Sequence, residues 1–136
     1  MAYISPFHSG SPEEPGWLLL RMYDEAISAM ENAGSCIYAS DYAGKARYIS
    51  RAITILQELT CSLNDRRDSL ARNLDSIYLM CTAKLVKASA NMDIVPLTSA
   101  RDTVSKLRQA VAKAIPSHPK DGRRARVLSF ASASSL

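Results

Sequence analysis

The sequence predicts an all-α fold, an antiparallel up-down four-helix bundle with an irregular N-terminal arm and a flexible C-terminal tail. Apolar side chains recur at helical spacing in four segments of about 20 residues, and no segment has the alternation typical of a β-strand. The breaks between segments are about five residues long, which forces consecutive helices to pack side by side. At 136 residues and 47% hydrophobic content, the chain can form one continuous core.

The first helix follows an arm of residues 1–16, in which three prolines and two glycines interrupt any helical pattern. We predict that the helix runs from Trp17 to about Ile37. Its expected core stripe is Leu19, Tyr23, Ala26, Met30 and Ala33.

The second helix is predicted from about Ala43 to Leu63, after a short SDYAG connection in which Asp41 can cap its first turn. Its expected core stripe is Ile49, Ile53, Leu56 and Leu63. Ile55 lies off the centre of this stripe, so we expect it outside the core.

The third helix is predicted from Leu70 to Ala90, after an NDRRD break that offers Asp68 or Ser69 as its N-cap. Its expected core stripe is Leu70, Leu74, Ile77, Cys81, Leu85 and Ala88. We therefore expect Leu74 at the centre of the buried face.

The fourth helix follows the break at residues 91–93 and ends near Ile115. Pro96 fits its first turn, where backbone N–H groups have no intrahelical partner. The stripe is the most regular in the chain: Leu97, Ala100, Val104, Leu107, Val111 and Ala114. The bundle domain is thus expected over residues 17–115, and a basic, disordered tail over 116–136.

Catalysis is not expected, because the chain lacks the groups from which a catalytic site is built. His8 and His118 are its two histidines, and both lie in the predicted flexible ends. Cys36, Cys61 and Cys81 lie within helical patterns without metal-ligand spacing, so we expect buried, reduced thiols. The glycines are scattered, and no phosphate-binding loop occurs. The sequence predicts no enzyme, no cofactor and no metal site.

Charge and targeting features indicate a soluble cytoplasmic protein. The tail carries +3 of the net charge of +4, so the body of the chain is nearly neutral. The basic residues Arg123 to Arg126 leave weak nucleic-acid binding as an alternative, although the near-neutral body argues against it. The N-terminus has no signal-peptide pattern, and no apolar run approaches the length of a membrane span.

Three helices have more apolar surface than a monomeric bundle requires. In the third helix, Leu79 and Val86 lie seven residues apart on the face opposite the core stripe. The residues that widen the arcs of the first and second helices are Leu20, Ile27, Tyr48, Ile55 and Leu59. This excess fits a binding surface for an apolar helix, a segment of the chain folding back as a lid, or self-association of a structural bundle.

Several motifs occur in the order and spacing of one family. The chain has SP, then YDEAI, then RAITILQELTCSL, then NLDSIY, and finally a Leu-Arg pair near the end of the last helix. The matching residues are Ser11, Pro12, Tyr23, Asp24, Ala26, Ile27, Arg51, Ala52, Ile53, Ile55, Leu56, Leu59, Ser62, Leu63, Asn73, Leu74, Ile77, Tyr78, Leu85, Ala88, Leu107 and Arg108. Over about residues 11–114 the sequence resembles the flagellar export chaperone family FliS. Glu25 replaces a common glycine, and the tail looks like an addition to the usual family end.

The resemblance implies a bundle that binds the C-terminal segment of flagellin in the bacterial cytosol. It would keep flagellin unpolymerised and deliver it to the flagellar type III export gate, acting as a monomer or weak homodimer. The flagellin-binding residues that we predict are Tyr23, Ile27, Tyr48, Ile55, Leu59, Tyr78, Leu79 and Val86. By the same resemblance, Tyr3, Ile4 and Phe7 of the arm are expected to form a lid over part of this surface.

Overall fold

A computed structural model describes residues 15–63 and 67–114, and almost all of this part of the chain is helical. Four helices follow one another: α1 (Pro15–Tyr38), α2 (Tyr42–Cys61), α3 (Ser69–Asn91) and α4 (Ile94–Ala114). The prediction of an all-α four-helix bundle is confirmed. The helix α1 begins two residues earlier than expected, because proline is well suited to the first turn of a helix. The predicted lid residues and the basic tail lie outside the described residues.

Each helix packs against two neighbours, so the four form a square. The helix α1 contacts α2 and α4, and α3 contacts α2 and α4, which leaves α1 and α3 diagonally opposite. Asp24 pairs with Arg108 and Glu31 with Arg101. Moving seven residues forward in α1 therefore moves seven residues back in α4, which shows that these two helices are antiparallel.

The core forms along the axis of this square. Its fully buried large side chains are Tyr23, Met30, Leu56, Leu59, Leu85, Leu97, Val104 and Cys81. All six residues of the predicted α4 stripe are buried. In α3, by contrast, Leu74 and Ile77 are only half-buried, and Tyr78 is 2% exposed. The prediction that Leu74 lies at the centre of the buried face is therefore wrong.

Local capping fixes where the helices begin and end. The Asp41 carboxylate accepts a hydrogen bond from the Gly44 backbone N–H at 3.0 Å, and Asp68 accepts one from the Leu70 N–H at 3.4 Å. Both satisfy backbone donors that have no intrahelical partner. The prediction of Asp41 as a cap is confirmed, and Asp68 is the cap of α3. Met92 ends α3 in the left-handed region, with φ of 50°.

The three cysteines have different surroundings, which corrects the expectation that all are buried. Cys81 is buried, Cys36 is half-buried and Cys61 is exposed at the end of α2. Burial raises the pKa of Cys81 to about 11.

Cys36 packs against Gly44, where an added Cβ atom would lie 2.6 Å from the Cys36 sulfur. This glycine therefore allows the close approach of α1 and α2.

Candidate binding surface on the third helix

The outer face of α3 carries an apolar stripe that the bundle does not cover. The exposed fractions of Leu79, Val86 and Met80 are 68%, 55% and 45%. Ala83 and Ala90 are also exposed, so positions 79, 83, 86 and 90 form a row with spacings of four, three and four residues. This alternation is the spacing of core positions in a coiled coil, and it places all four side chains on one side of the helix. We call these four residues the α3 outer stripe.

Side-chain hydrogen bonds mark the two edges of α3. On one edge, Lys45 of α2 donates to the Ser89 carbonyl oxygen at 2.9 Å. On the other edge, Lys84 donates to the Ser99 hydroxyl oxygen of α4 at 2.7 Å. Val86 lies one turn before Ser89, so the outer stripe leans toward α2 rather than toward α4.

The neighbouring edge of α2 extends this surface without adding charge. Arg51 lies 3.7 Å from Glu25 of α1, and Gly44 packs on Cys36, so these residues mark the α1 side of α2. The opposite side of α2 faces α3. It presents the exposed or half-buried residues Ala46, Ser50, Ile53 and Gln57. The candidate surface is therefore two helices wide, with α3 supplying its large apolar side chains.

The predicted binding residues divide into three groups by exposure. Leu79 and Val86 are exposed, whereas Ile27 and Tyr48 are half-buried against the core. The Arg47 guanidinium lies 5.2 Å from the centre of the Tyr48 ring. Four predicted residues are buried in the free protein: Tyr23, Ile55, Leu59 and Tyr78. The predicted lid residues Tyr3, Ile4 and Phe7 are not among the described residues.

Ile55 is the clearest correction within this set. It is 5% exposed and belongs to the core, so the expectation that it lies outside the core is wrong. The helix α2 packs more extensively on α1 than on α3. Ile55 lies one turn after Arg51, which pairs with Glu25 of α1, so it is on the α1 side of α2. A helix between two neighbours buries a wider arc than a surface helix, which brings residues at the edge of the stripe into the core.

Tyr23 and Tyr78 form a pair inside the bundle. Their hydroxyl oxygens are 2.8 Å apart, which joins α1 to α3 across the diagonal. Burial raises the pKa of Tyr23 well above its usual value, and it raises that of Tyr78 to about 12. Both hydroxyls therefore stay protonated at neutral pH, and one donates to the other. Sequence periodicity predicts Tyr23 in the core stripe of α1, but it leaves Tyr78 out of the predicted α3 stripe and gives no sign that the two residues pair.

Met80 borders the stripe and Ala90 is its last member, and neither is among the residues predicted from the sequence. For Ala90 the signal in the sequence is the spacing of four, three and four residues that starts at Leu79, whereas Met80 lies outside that row. Alanine adds little to a hydrophobicity pattern, so only the coiled-coil spacing of the row indicates that Ala83 and Ala90 belong to a helix-binding surface.

A second group of exposed apolar side chains lies at the end of the bundle that contains the α1–α2 and α3–α4 connections. Tyr38, Tyr42 and Val95 are 77%, 63% and 69% exposed. A shallow open cavity of about 530 Å³ lies between Tyr38 and the first turns of α4. Asp102 and Lys106 also line it, so it is more polar than the outer stripe.

The described helices offer little for chemistry. No group of three or more His, Cys, Asp or Glu side chains within residues 15–63 and 67–114 is arranged to hold a metal ion. In the same part of the chain, no helix combines the length and hydropathy needed to cross a membrane. The arrangement is one that can bind an apolar partner through its surface.

Comparison with known proteins agrees with this architecture. The model of the family described as flagellar protein FliS matches residues 9–118. The chain is also similar to the flagellar secretion chaperone FliS of Bacillus subtilis (strain 168), with 30% identity over 126 residues. That alignment covers 89% of this chain and 94% of the relative. The family match spans all four helices and the α3 outer stripe, and on these grounds the chain belongs to the FliS family of flagellar proteins.

Proposed function

We propose that the protein is a flagellar export chaperone that binds the C-terminal segment of flagellin through the α3 outer stripe and the adjacent edge of α2. The single observation that supports this most strongly is the exposed row from Leu79 to Ala90 on a helix whose other face is buried. Family membership supplies the flagellar context.

The stripe is suited to an amphipathic helix. Leu79 and Val86 alternate with two alanines, so an incoming helix can approach the α3 backbone closely and place its larger side chains over Ala83 and Ala90. A segment of this kind forms helix mainly when its apolar face is packed, because isolated helices are marginal in water. Binding here would cover apolar side chains on both partners and oppose flagellin self-assembly.

The predicted flagellin-binding residues that are buried in the bundle support the binding surface without contacting flagellin in this proposal. Tyr23, Ile55, Leu59 and Tyr78 are enclosed by the bundle, so they support the surface from beneath. Ile27 and Tyr48 are half-buried and could contact flagellin at the edge of a longer path.

The test is the affinity for a peptide that carries the C-terminal region of flagellin from the same organism, measured by calorimetry. The double variant Leu79→Asp/Val86→Asp should bind at least about tenfold more weakly, because two central contacts of an interface typically each contribute about 1 kcal/mol or more. Val95→Asp is the matched control, since Val95 is 69% exposed on α4 and lies away from the stripe. Equal loss in the control, or no loss in the double variant, would contradict the proposal.

The arm is proposed to compete with flagellin for this surface. Tyr3, Ile4 and Phe7 carry its apolar content, so deletion of residues 1–10 should tighten peptide binding by about fivefold or more if the arm covers part of the stripe. Calorimetry on the truncated chain checks this, and an unchanged affinity removes the lid from the proposal.

Delivery to the export gate in the bacterial cytosol completes the proposed role, with the chaperone acting as a monomer or weak homodimer. A structural bundle that self-associates through the same stripe is the competing function. Light scattering with and without the flagellin peptide separates them. A one-to-one complex supports the chaperone, whereas a tight dimer that ignores the peptide supports the structural bundle.

A further inference from the structure

The helix α3 carries an apolar stripe on its outer face as well as on its buried inner face, so apolar burial specifies its rotation less strongly than it specifies that of the other helices. Its apolar side chains are the least one-sided of the four helices, and it packs less extensively on its neighbours than α1 does. The inner face buries Leu70, Cys81 and Leu85, while the outer face exposes Leu79 and Val86. Hydrophobic burial is non-directional, so a rotation of α3 about its axis would exchange one apolar surface for another.

Directional bonds add to the difference between the two faces. The hydrogen bonds of Lys45 to Ser89 and Lys84 to Ser99 join the edges of α3 to α2 and α4. Lysine side chains are long and flexible, so these bonds restrain the rotation of the helix less rigidly than a bond from a buried ring does. The Tyr78 hydroxyl is different, because its ring is rigid and it is 2% exposed.

The Tyr78 hydroxyl pairs with a side chain on the opposite helix of the square. Tyr23 of α1 lies 2.8 Å away, although α1 and α3 do not pack against each other within the described part of the chain. If α3 rotated, the Tyr78 hydroxyl would move away from this partner, and the Tyr23 hydroxyl would remain in the apolar interior without one. A buried polar group without a partner is costly, whereas the same group in a pair is tolerated.

We propose that Tyr23 and Tyr78 are positioning residues whose mutual hydrogen bond fixes the rotation of α3, and with it the outward presentation of the outer stripe. The pair acts as a single buried polar contact that specifies helix register. Neither residue touches the bound segment. The inference rests on the proposed function for its effect on binding, but its effect on α3 is independent of any partner.

The test uses phenylalanine, which removes the hydroxyl and keeps the ring. Tyr78→Phe alone should lower the melting temperature, since the Tyr23 hydroxyl then lacks its partner. Tyr23→Phe/Tyr78→Phe should recover most of that loss, because both polar groups are gone. Tyr42→Phe is the control, since the exposed Tyr42 lies outside both the pair and the proposed binding surface.

The decisive readout is the backbone amide NMR spectrum of the ¹⁵N-labelled chain. The double variant should show broadened or doubled resonances across Ser69–Asn91, with single sharp resonances across Ile94–Ala114. Flagellin peptide affinity should fall about fivefold or more, although the melting temperature has recovered. If the double variant fails to fold, Tyr78→Phe alone should show the same α3 broadening.

Single sharp α3 resonances in both variants would overturn the inference. Broadened resonances with unchanged affinity would overturn its link to the binding surface. If the unmodified protein does not bind the peptide, the proposed function fails, while the NMR comparison still decides whether the tyrosine pair fixes α3.

Discussion

The seam between α1 and α4 and the outer face of α3 both meet solvent, but they are built in opposite ways. At the seam, Asp24 accepts from Arg108 at 2.6 Å and Glu31 accepts from Arg101 at 2.8 Å. The outer face of α3 instead presents Leu79, which is 68% exposed. The charged side chains of the seam pair with each other and remain hydrated, so the seam is satisfied without another protein. The α3 outer stripe instead exposes apolar surface that a partner can cover.

The strongest way to test this contrast is to place the same charge on the two faces of α3. Leu85→Asp should prevent stable folding, because Leu85 is 0% exposed and an unpaired buried carboxylate costs several kcal/mol against a stability of about 5 to 15 kcal/mol. Leu79→Asp should change stability by about 0.5 kcal/mol or less. Thermal melts followed by circular dichroism compare them, and similar losses would show that Leu79 is covered.

Alkaline pH should destabilise the core through its buried titratable groups. The folded-state pKa of Tyr23 is raised well above its usual value, that of Tyr78 to about 12 and that of Cys81 to about 11. The unfolded chain therefore loses these protons at lower pH than the folded chain does. The stabilisation that these protonated groups contribute is fully present at neutral pH. It declines as the pH rises above their unfolded-state pKa values of about 9 to 10 toward their folded-state pKa values.

Urea midpoints between about pH 8 and pH 11 measure this effect. The midpoint of the unmodified protein should decrease across that window, and Tyr23→Phe/Tyr78→Phe should flatten the decrease in part, leaving the contribution of Cys81. A midpoint that falls equally in both proteins would mean that the tyrosine pair does not contribute.

Removing a charge pair from the α1–α4 seam should have the smallest effect. Arg108→Ala should lower the melting temperature by at most about 5 °C, because exposed ion pairs contribute little to stability. The difference should shrink in about 1 M salt, where exposed charges are screened. Flagellin affinity should stay unchanged, and a loss of affinity would place the binding surface on the seam.

The contrast between α4 and α3 shows how far the sequence predicts this fold. The α4 stripe from Leu97 to Ala114 is buried as predicted, because one face of that helix is apolar and the other is polar. In α3 the predicted centre at Leu74 is displaced to Tyr78, whose hydroxyl partner is 55 residues away in the chain. Periodicity reports local spacing, so it cannot reveal a hydrogen bond across the diagonal of the bundle.

For the same reason, the sequence predicts the exposure of some residues of the candidate site but not that of others. The exposure of Leu79 and Val86 is predictable because they lie opposite the core stripe of their own helix, and that depends on local geometry alone. The burial of Ile55 depends on how extensively α2 packs on α1, which is a tertiary property. Caps at Asp41 and Asp68 are local and could be predicted.

Photo-crosslinking from single positions tests most directly whether the outer face of α3 is the flagellin-binding face. A photoreactive phenylalanine derivative replaces Leu79 or Val86 on α3, and Gln109 on the exposed side of α4 serves as the control. After irradiation with the flagellin C-terminal peptide, positions 79 and 86 should give one-to-one adducts and position 109 should give none. Adducts at position 109 without adducts at 79 and 86 would contradict the assignment of the α3 outer stripe.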